Sequence, residues 1–391
     1  MAGTLSQRID GLLRAATDRG DVPGVVAVIA DGGDVVYAGA SGKRTLGGAD
    51  PFTPDTIAFY ASMSKAITAT AAMQQVERGK LSLDAPAASV CPEIDELQVL
   101  DGLGADGAPK LRKPKSRMTL RQMLTHTCGS SYEFCDPAML RYLDVTKTPG
   151  ILSATRATMK RALLTDPGER WDYGLGIDWA GRMVETVSGL RLGEYLERNL
   201  FAPLGMRESG FGIPDAVKPR LAGVHARQPD GGLASIPFAI PGPEAEVDMG
   251  GHGLFGPMTD YVRFLRAILG GGSLDGARIL EEKTAATMRA NQTGDIAMRP
   301  IRTSMPDFTN DVEFLPGVDW RYAISFATNL QDLPGMRSAG SLAWAGITNS
   351  YYWIDPKKQV TGVVLTQILP FFDAKVLALT AAVEQEVYRG S

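Results

Sequence analysis

One stretch constrains this chain more than any other: Thr56-Ile-Ala-Phe-Tyr-Ala-Ser62-Met-Ser-Lys65. An apolar, strand-like run leads into a helix expected over about 62–78. That helix is rich in Ala, Met and Ile and is closed by Gly79, a favoured residue just past a helix end. Residues three apart share a helix face, so the Lys65 amine stands beside the Ser62 hydroxyl. A serine hydroxyl is a weak nucleophile until a neighbouring base takes its proton. A lysine in the first turn opposes the helix dipole, and apolar neighbours desolvate it. Both effects lower its pKa and favour a neutral amine able to act as that base. No other Ser-x-x-Lys occurs in the sequence. An ordinary helix start with a surface lysine has the same bare pattern, so the surroundings decide.

Those surroundings suggest a mixed fold. Leu5, Ile9, Leu12, Leu13 and Ala16 recur at helical spacing. Runs 24–30 and 35–39 read as strands joined at Asp31-Gly-Gly. Residues 95–117, rich in Gly, Pro, Lys and Asp, read as a surface excursion. Helices are expected at 118–124, 159–164, 178–188, 192–199 and 259–269. Strands follow at 322–328, 341–345, 350–354 and 360–366, and 373–388 reads as a closing helix. The expected class is α/β of the α+β type. Segments 1–90 and 316–391 form an antiparallel sheet flanked by helices. Segment 91–315 forms a mainly helical domain with loop insertions, and the active site lies between the two.

Several functions have no support. Net charge is −4, which gives no reason to expect nucleic acid. The beginning of the sequence lacks an apolar leader, and no run of about 18 apolar residues suggests a membrane span; a cytoplasmic protein is expected. Cys91, Cys128 and Cys135 are expected as reduced thiols, with a Cys128–Cys135 bridge the less favoured alternative. There is no G-x-S-x-G elbow for a Ser-His-Asp hydrolase and no metal-ligand spacing. No cofactor is expected.

Two further segments carry candidate chemistry. In Pro167-Gly-Glu-Arg-Trp-Asp-Tyr173-Gly-Leu175, Trp171 anchors a loop and Tyr173 is held on it. A tyrosine beside a lysine ammonium has its phenolate favoured and can shuttle protons; plain packing is the alternative. In Ser338-Ala-Gly-Ser-Leu-Ala-Trp344-Ala-Gly346-Ile-Thr-Asn, Gly346 suits a strand that approaches a ligand closely. Backbone N–H groups there and at Ser62 suit an oxyanion hole; a core strand with a bulge is the alternative. Tyr132 and Phe134 are candidates to line an acyl pocket, or core. His126 reads as a structural hydrogen-bonding residue. His252, between glycines, faces the pocket or packs its loop. Nothing singles out His225.

Taken together, these segments resemble the family VIII carboxylesterases, which are similar to class C β-lactamases and D-alanyl-D-alanine carboxypeptidases. Supporting landmarks are Val76-Glu-Arg-Gly-Lys-Leu-Ser-Leu-Asp84, Leu124-Thr-His-Thr-Cys-Gly129, Gly250-Gly-His-Gly-Leu254 and Ala343-Trp-Ala-Gly346. The resemblance spans nearly the whole chain and implies a β-lactamase-like fold. It implies Ser62 as the acylated nucleophile, Lys65 and Tyr173 as its proton carriers, and the N–H groups of Ser62 and Ile347 as the oxyanion hole. Two positions depart from the β-lactamases. Leu175 stands where Y-x-N has its amide, and Trp344 where K-T-G has its cation. Lys147-Thr-Pro-Gly150 resembles K-T-G but precedes Tyr173 and reads as a decoy. Cys128 stands where the family usually has serine, without a functional account. The departures favour neutral esters over anionic lactams. The expectation is a serine carboxylesterase hydrolysing short-chain esters through an acyl-Ser62 intermediate, with Trp344, Gly346, Tyr132, Phe134, Leu175 and His252 around the substrate. An acyltransferase, or a β-lactamase or peptidase, is the alternative.

Overall fold

The computed structural model describes residues 3–238 and 245–389. Its centre is a seven-stranded antiparallel sheet built from the two ends of the chain. We label the elements that position the site. They are α1 (Leu5–Asp18), β1 (Gly24–Asp31), β2 (Val35–Gly42), α2 (Ser64–Glu77), α3 (Gly176–Ser188), α4 (Met258–Leu269), β3 (Trp320–Tyr322), β4 (Ala327–Asn329), β5 (Leu342–Gly346), β6 (Ser350–Asp355), β7 (Val360–Leu365) and α5 (Ala374–Val387). The strand order is β3-β4-β5-β6-β7-β1-β2.

Strand side chains alternate between faces, and here both faces are covered. Val25, Ala27 and Ile29 of β1 join Ile9 and Leu13 of α1 and Val376 and Val383 of α5 in one core. Val26, Val28 and Ala30 join Tyr261, Leu265 and Ile268 of α4 and Ile67 of α2 in the other. Double coverage explains why β1 is a continuous apolar run, buried from Gly24 to Ala30. Helix α4 falls within 91–315 and packs on the sheet through these residues.

Three local expectations change. The run 322–328 is two strands, because Ser325 turns in the left-handed region (φ +65°) and the Ala323 N–H bonds the Phe326 carbonyl. The helix expected at 159–164 ends at Met159. Leu163 is extended instead, its N–H donating to Gln98 at 2.8 Å. Within 95–117, Val99–Leu103 and Pro109–Arg112 pair as an antiparallel hairpin. Its polar composition hid the strand signal.

Candidate active site

The chain reaches Ser62 through a short strand, Ala58–Phe59, that pairs with Leu254–Gly256. Ala61 then takes a left-handed conformation (φ +48°). That conformation costs a non-glycine residue on the order of 1–3 kcal/mol and persists only where packing enforces it. The packing is tight here: Tyr60 has no exposed surface, its N–H donates to Leu254 and its hydroxyl to Pro257. The turn delivers Ser62, half-buried, into a single 3-10 turn (Ala61–Met63) that runs on into α2. Helix α2 is buried from Ser64 through Gln75, so Lys65 points into protein rather than solvent.

Lys65 has no exposed surface. Its Nζ lies 3.0 Å from Ser62 Oγ and donates to the Gly251 carbonyl at 2.7 Å. The nitrogen also sits 4.7 Å from the Tyr173 ring centre and 5.1 Å from that of Tyr132. Burial pulls the Lys65 pKa down to about 7, against the opposing pull of Asp178. The amine is therefore substantially neutral near neutrality, as the helix-start argument anticipates.

Tyr173 is fixed from several sides. Its carbonyl accepts the Tyr132 N–H at 3.1 Å. Neighbouring Asp172 donates its N–H to the His126 carbonyl at 2.8 Å, and its carboxylate pairs with Arg170 and Arg299. At Gly174 a Cβ would stand 2.4 Å from the Ser130 carbonyl, so the loop can pass only as glycine. Trp171 is buried beneath it, the anchor expected from sequence. The phenolate expectation does not hold. Burial raises the Tyr173 pKa far above that of a free tyrosine, outweighing its hydrogen bonds with Ser62 and Trp344. Tyr173 is therefore protonated at rest.

Trp344 has a role beyond filling space. Its indole Nε1–H donates to Tyr173 Oη at 3.2 Å, with the ring centres 5.0 Å apart. Gly346 is required because a Cβ there would stand 2.6 Å from the Tyr60 carbonyl oxygen. Strand β5 thus lies directly against the turn that carries Ser62.

Between these elements lies a narrow slot lined by Ser62, Phe134, Cys135, Tyr173, Phe314, Trp344, Gly346 and Ile347, with Ile301, Thr309, Val312, Ala345 and Phe371. Among the described lining residues none carries a charge. Its free volume is about 30 Å³. Of the expected substrate contacts, Trp344, Gly346 and Phe134 line the slot. Tyr132 lies beneath Lys65 and stacks on Phe134 at 5.0 Å. Leu175 is buried at the start of α3 and does not line it. His252 faces Asp178 instead, with Nδ1 3.9 Å from Oδ1. His126 accepts the Gly174 N–H through Nδ1 at 3.4 Å. His225 accepts the Leu46 N–H through Nε2 at 3.0 Å. Lys147 is exposed and pairs with Asp144, away from the slot. All three cysteines are free, and Cys135 lines the slot. Cys135, Phe314 and Phe371 carry no motif that spacing could have revealed. Asp178 has a signal in retrospect: an acidic residue in the apolar run Gly174-Leu-Gly-Ile-Asp178-Trp-Ala.

Among the described residues no cluster could hold a metal ion, and no helix is long and apolar enough to cross a membrane. The Beta-lactamase family pattern matches residues 9–385. A lovastatin esterase of Penicillium rubens is 31% identical, the alignment covering 97% of this chain and 98% of that protein. A monacolin J acid methylbutanoyltransferase of Aspergillus terreus is 29% identical over 96% of this chain and 94% of its own length. A mutant of simvastatin synthase from Aspergillus terreus superimposes with a TM-score of 0.84 at 28% identity, covering 97% of this chain and 94% of that one. The chain belongs to the β-lactamase family and has its fold. This membership supports an enzyme that acts on esters or acyl groups.

Proposed function

We propose that this protein is a serine carboxylesterase of the family VIII type, hydrolysing short-chain esters through an acyl-Ser62 intermediate. The observation that carries this reading is the buried Lys65 nitrogen, 3.0 Å from Ser62 Oγ and pulled toward neutrality by desolvation. A neutral amine takes the Ser62 proton as Oγ attacks the ester carbonyl. The N–H groups of Ser62 and Ile347 hold the oxyanion. Tyr173, protonated at rest, passes its proton to the departing alcohol and is reprotonated from the Lys65 ammonium. Water then attacks the acyl-enzyme, and the same groups return the proton to Ser62. The narrow, uncharged slot supports small neutral acyl groups.

A second reading is transfer of the acyl group to an alcohol rather than to water. It is favoured by the similarity to a methylbutanoyltransferase, which shares the chemistry up to the acyl-enzyme. Adding an alcohol acceptor during p-nitrophenyl butyrate turnover separates the two: an ester product in place of butyrate identifies the transferase. Ser62→Ala abolishes both activities under this reading. Retained turnover in that variant overturns it.

A further inference from the structure

Beneath the Ser62–Lys65 pair lies a buried polar cluster with no part in the scheme above. Lys65 donates to the Gly251 carbonyl, and the N–H of Gly251 donates to Asp178 Oδ1 at 2.8 Å. The Asp178 side chain has no exposed surface, and its Oδ2 has no partner. Residue 251 is glycine because a Cβ there would stand 2.6 Å from Asp178 Oδ2 and 2.9 Å from Oδ1. The carboxylate therefore packs against the very residue that anchors Lys65. Burying a carboxylate with an unpartnered oxygen is expensive.

The other titratable groups around the lysine nitrogen are neutral near pH 7. Burial pushes Tyr132, Tyr173 and Cys135 up and His126 and His252 down. Burial raises the Asp178 pKa, while the Lys65 charge, the Gly251 N–H and, from further off, Arg161, whose head is committed to Glu133 at 2.5 Å, hold it down. Asp178 is thus the group among the described neighbours whose charge can answer that of Lys65.

We propose that Asp178 is a positioning residue: through Gly251 it holds the Lys65 nitrogen on Ser62, and its charge sets the pH at which that nitrogen gives up its proton. The proposal rests on the reading of Lys65 as the base. A negative charge nearby favours the ammonium. Removing the charge while keeping the acceptor should let Lys65 lose its proton at lower pH.

The test is the pH profile of kcat/KM for p-nitrophenyl acetate in the wild type and in Asp178→Asn. The asparagine still accepts the Gly251 N–H but carries no charge. Its acid limb is expected about one pH unit below that of the wild type. An unmoved limb overturns the proposal, since a merely structural loss lowers the amount of active enzyme without moving its pH dependence. Gly251→Ala provides a second variant that keeps the aspartate and displaces it. Its kcat should fall about tenfold or more with KM nearly unchanged, because neither residue lines the slot. An unchanged kcat, or a loss confined to KM, also overturns the proposal. If Asp178→Asn fails to fold, the pH profile of Gly251→Ala decides: its acid limb should move as well, and an unmoved limb overturns the proposal. Failure here is separable from failure of the esterase reading. An inactive Ser62→Ala with an unmoved Asp178→Asn limb rejects the role of Asp178 alone, whereas an active Ser62→Ala rejects the chemistry.

Discussion

Lys65 Nζ lies 3.0 Å from Ser62 Oγ with no solvent access of its own. The rings of Tyr132 and Tyr173 enclose it. A base so placed has one proton to take and one hydroxyl to take it from.

The pH dependence follows directly. Lys65 titrates at about 7, depressed by burial from its ordinary range, and only its neutral form accepts a proton. Ester turnover, measured as kcat/KM across pH 5–9, should rise through about pH 7 and level off above it. A profile that is flat or falls across this range argues against lysine as the base.

The same burial affects stability. The folded-state pKa of Lys65 lies below that of the unfolded chain, so the unfolded chain binds more protons between about pH 7 and 10.4. Stability therefore rises with pH across that window through this group. Lys65→Met, which fills the same space without the charge, should be inactive. It removes the cost of the buried ammonium but leaves Asp178 without its opposite charge, so the expected signature is a trend: its melting temperature relative to the wild type should be highest at pH 6–7 and fall toward pH 10. A difference that stays constant across that range contradicts the lowered pKa of Lys65.

Lys65 and Tyr173 should act as one unit with Ser62, so their losses should not add. Lys65→Ala and Tyr173→Phe are each expected to lower kcat about 10²-fold or more. The double variant should be little worse than the poorer single one. Additive effects on log kcat indicate that the two residues do separate jobs.

Trp344 sets the expected substrate class. A β-lactam carboxylate needs a cationic partner, and no described slot residue carries charge. The missing charge-assisted hydrogen bond is worth about 1.5–3 kcal/mol. In addition, the indole N–H is already engaged with Tyr173. On one preparation, kcat/KM for p-nitrophenyl acetate or butyrate should exceed that for a chromogenic cephalosporin by tenfold or more, roughly the ratio that energy implies. Equal or greater cephalosporin turnover favours a lactamase instead.

Much of this site can be read in the sequence because it depends on local geometry. Ser62 and Lys65 meet through helical spacing alone. Gly346 signals a close approach that excludes a side chain, but the sequence suggests a ligand as the neighbour where the structure has the Tyr60 carbonyl. Trp171 marks a loop that must be pinned. What stays hidden is long-range. Asp178 meets Gly251 across 73 residues of chain, and no periodicity reports such a contact. The sequence favours a Tyr173 phenolate because it shows the neighbouring charge but not the burial, and burial is the larger effect here. The split of 322–328 into two strands hangs on one left-handed serine that looks like any strand residue. His252 and Leu175 lie near the right segments, but their side chains turn elsewhere.

The most direct test of the account is intact-protein and peptide mass spectrometry after reaction with a fluorophosphonate or a slowly deacylating ester. The account predicts one stoichiometric adduct on the peptide containing Ser62, absent from Ser62→Ala, with ester hydrolysis lost in step with labelling. An adduct on another residue, or full hydrolysis by Ser62→Ala, would contradict it.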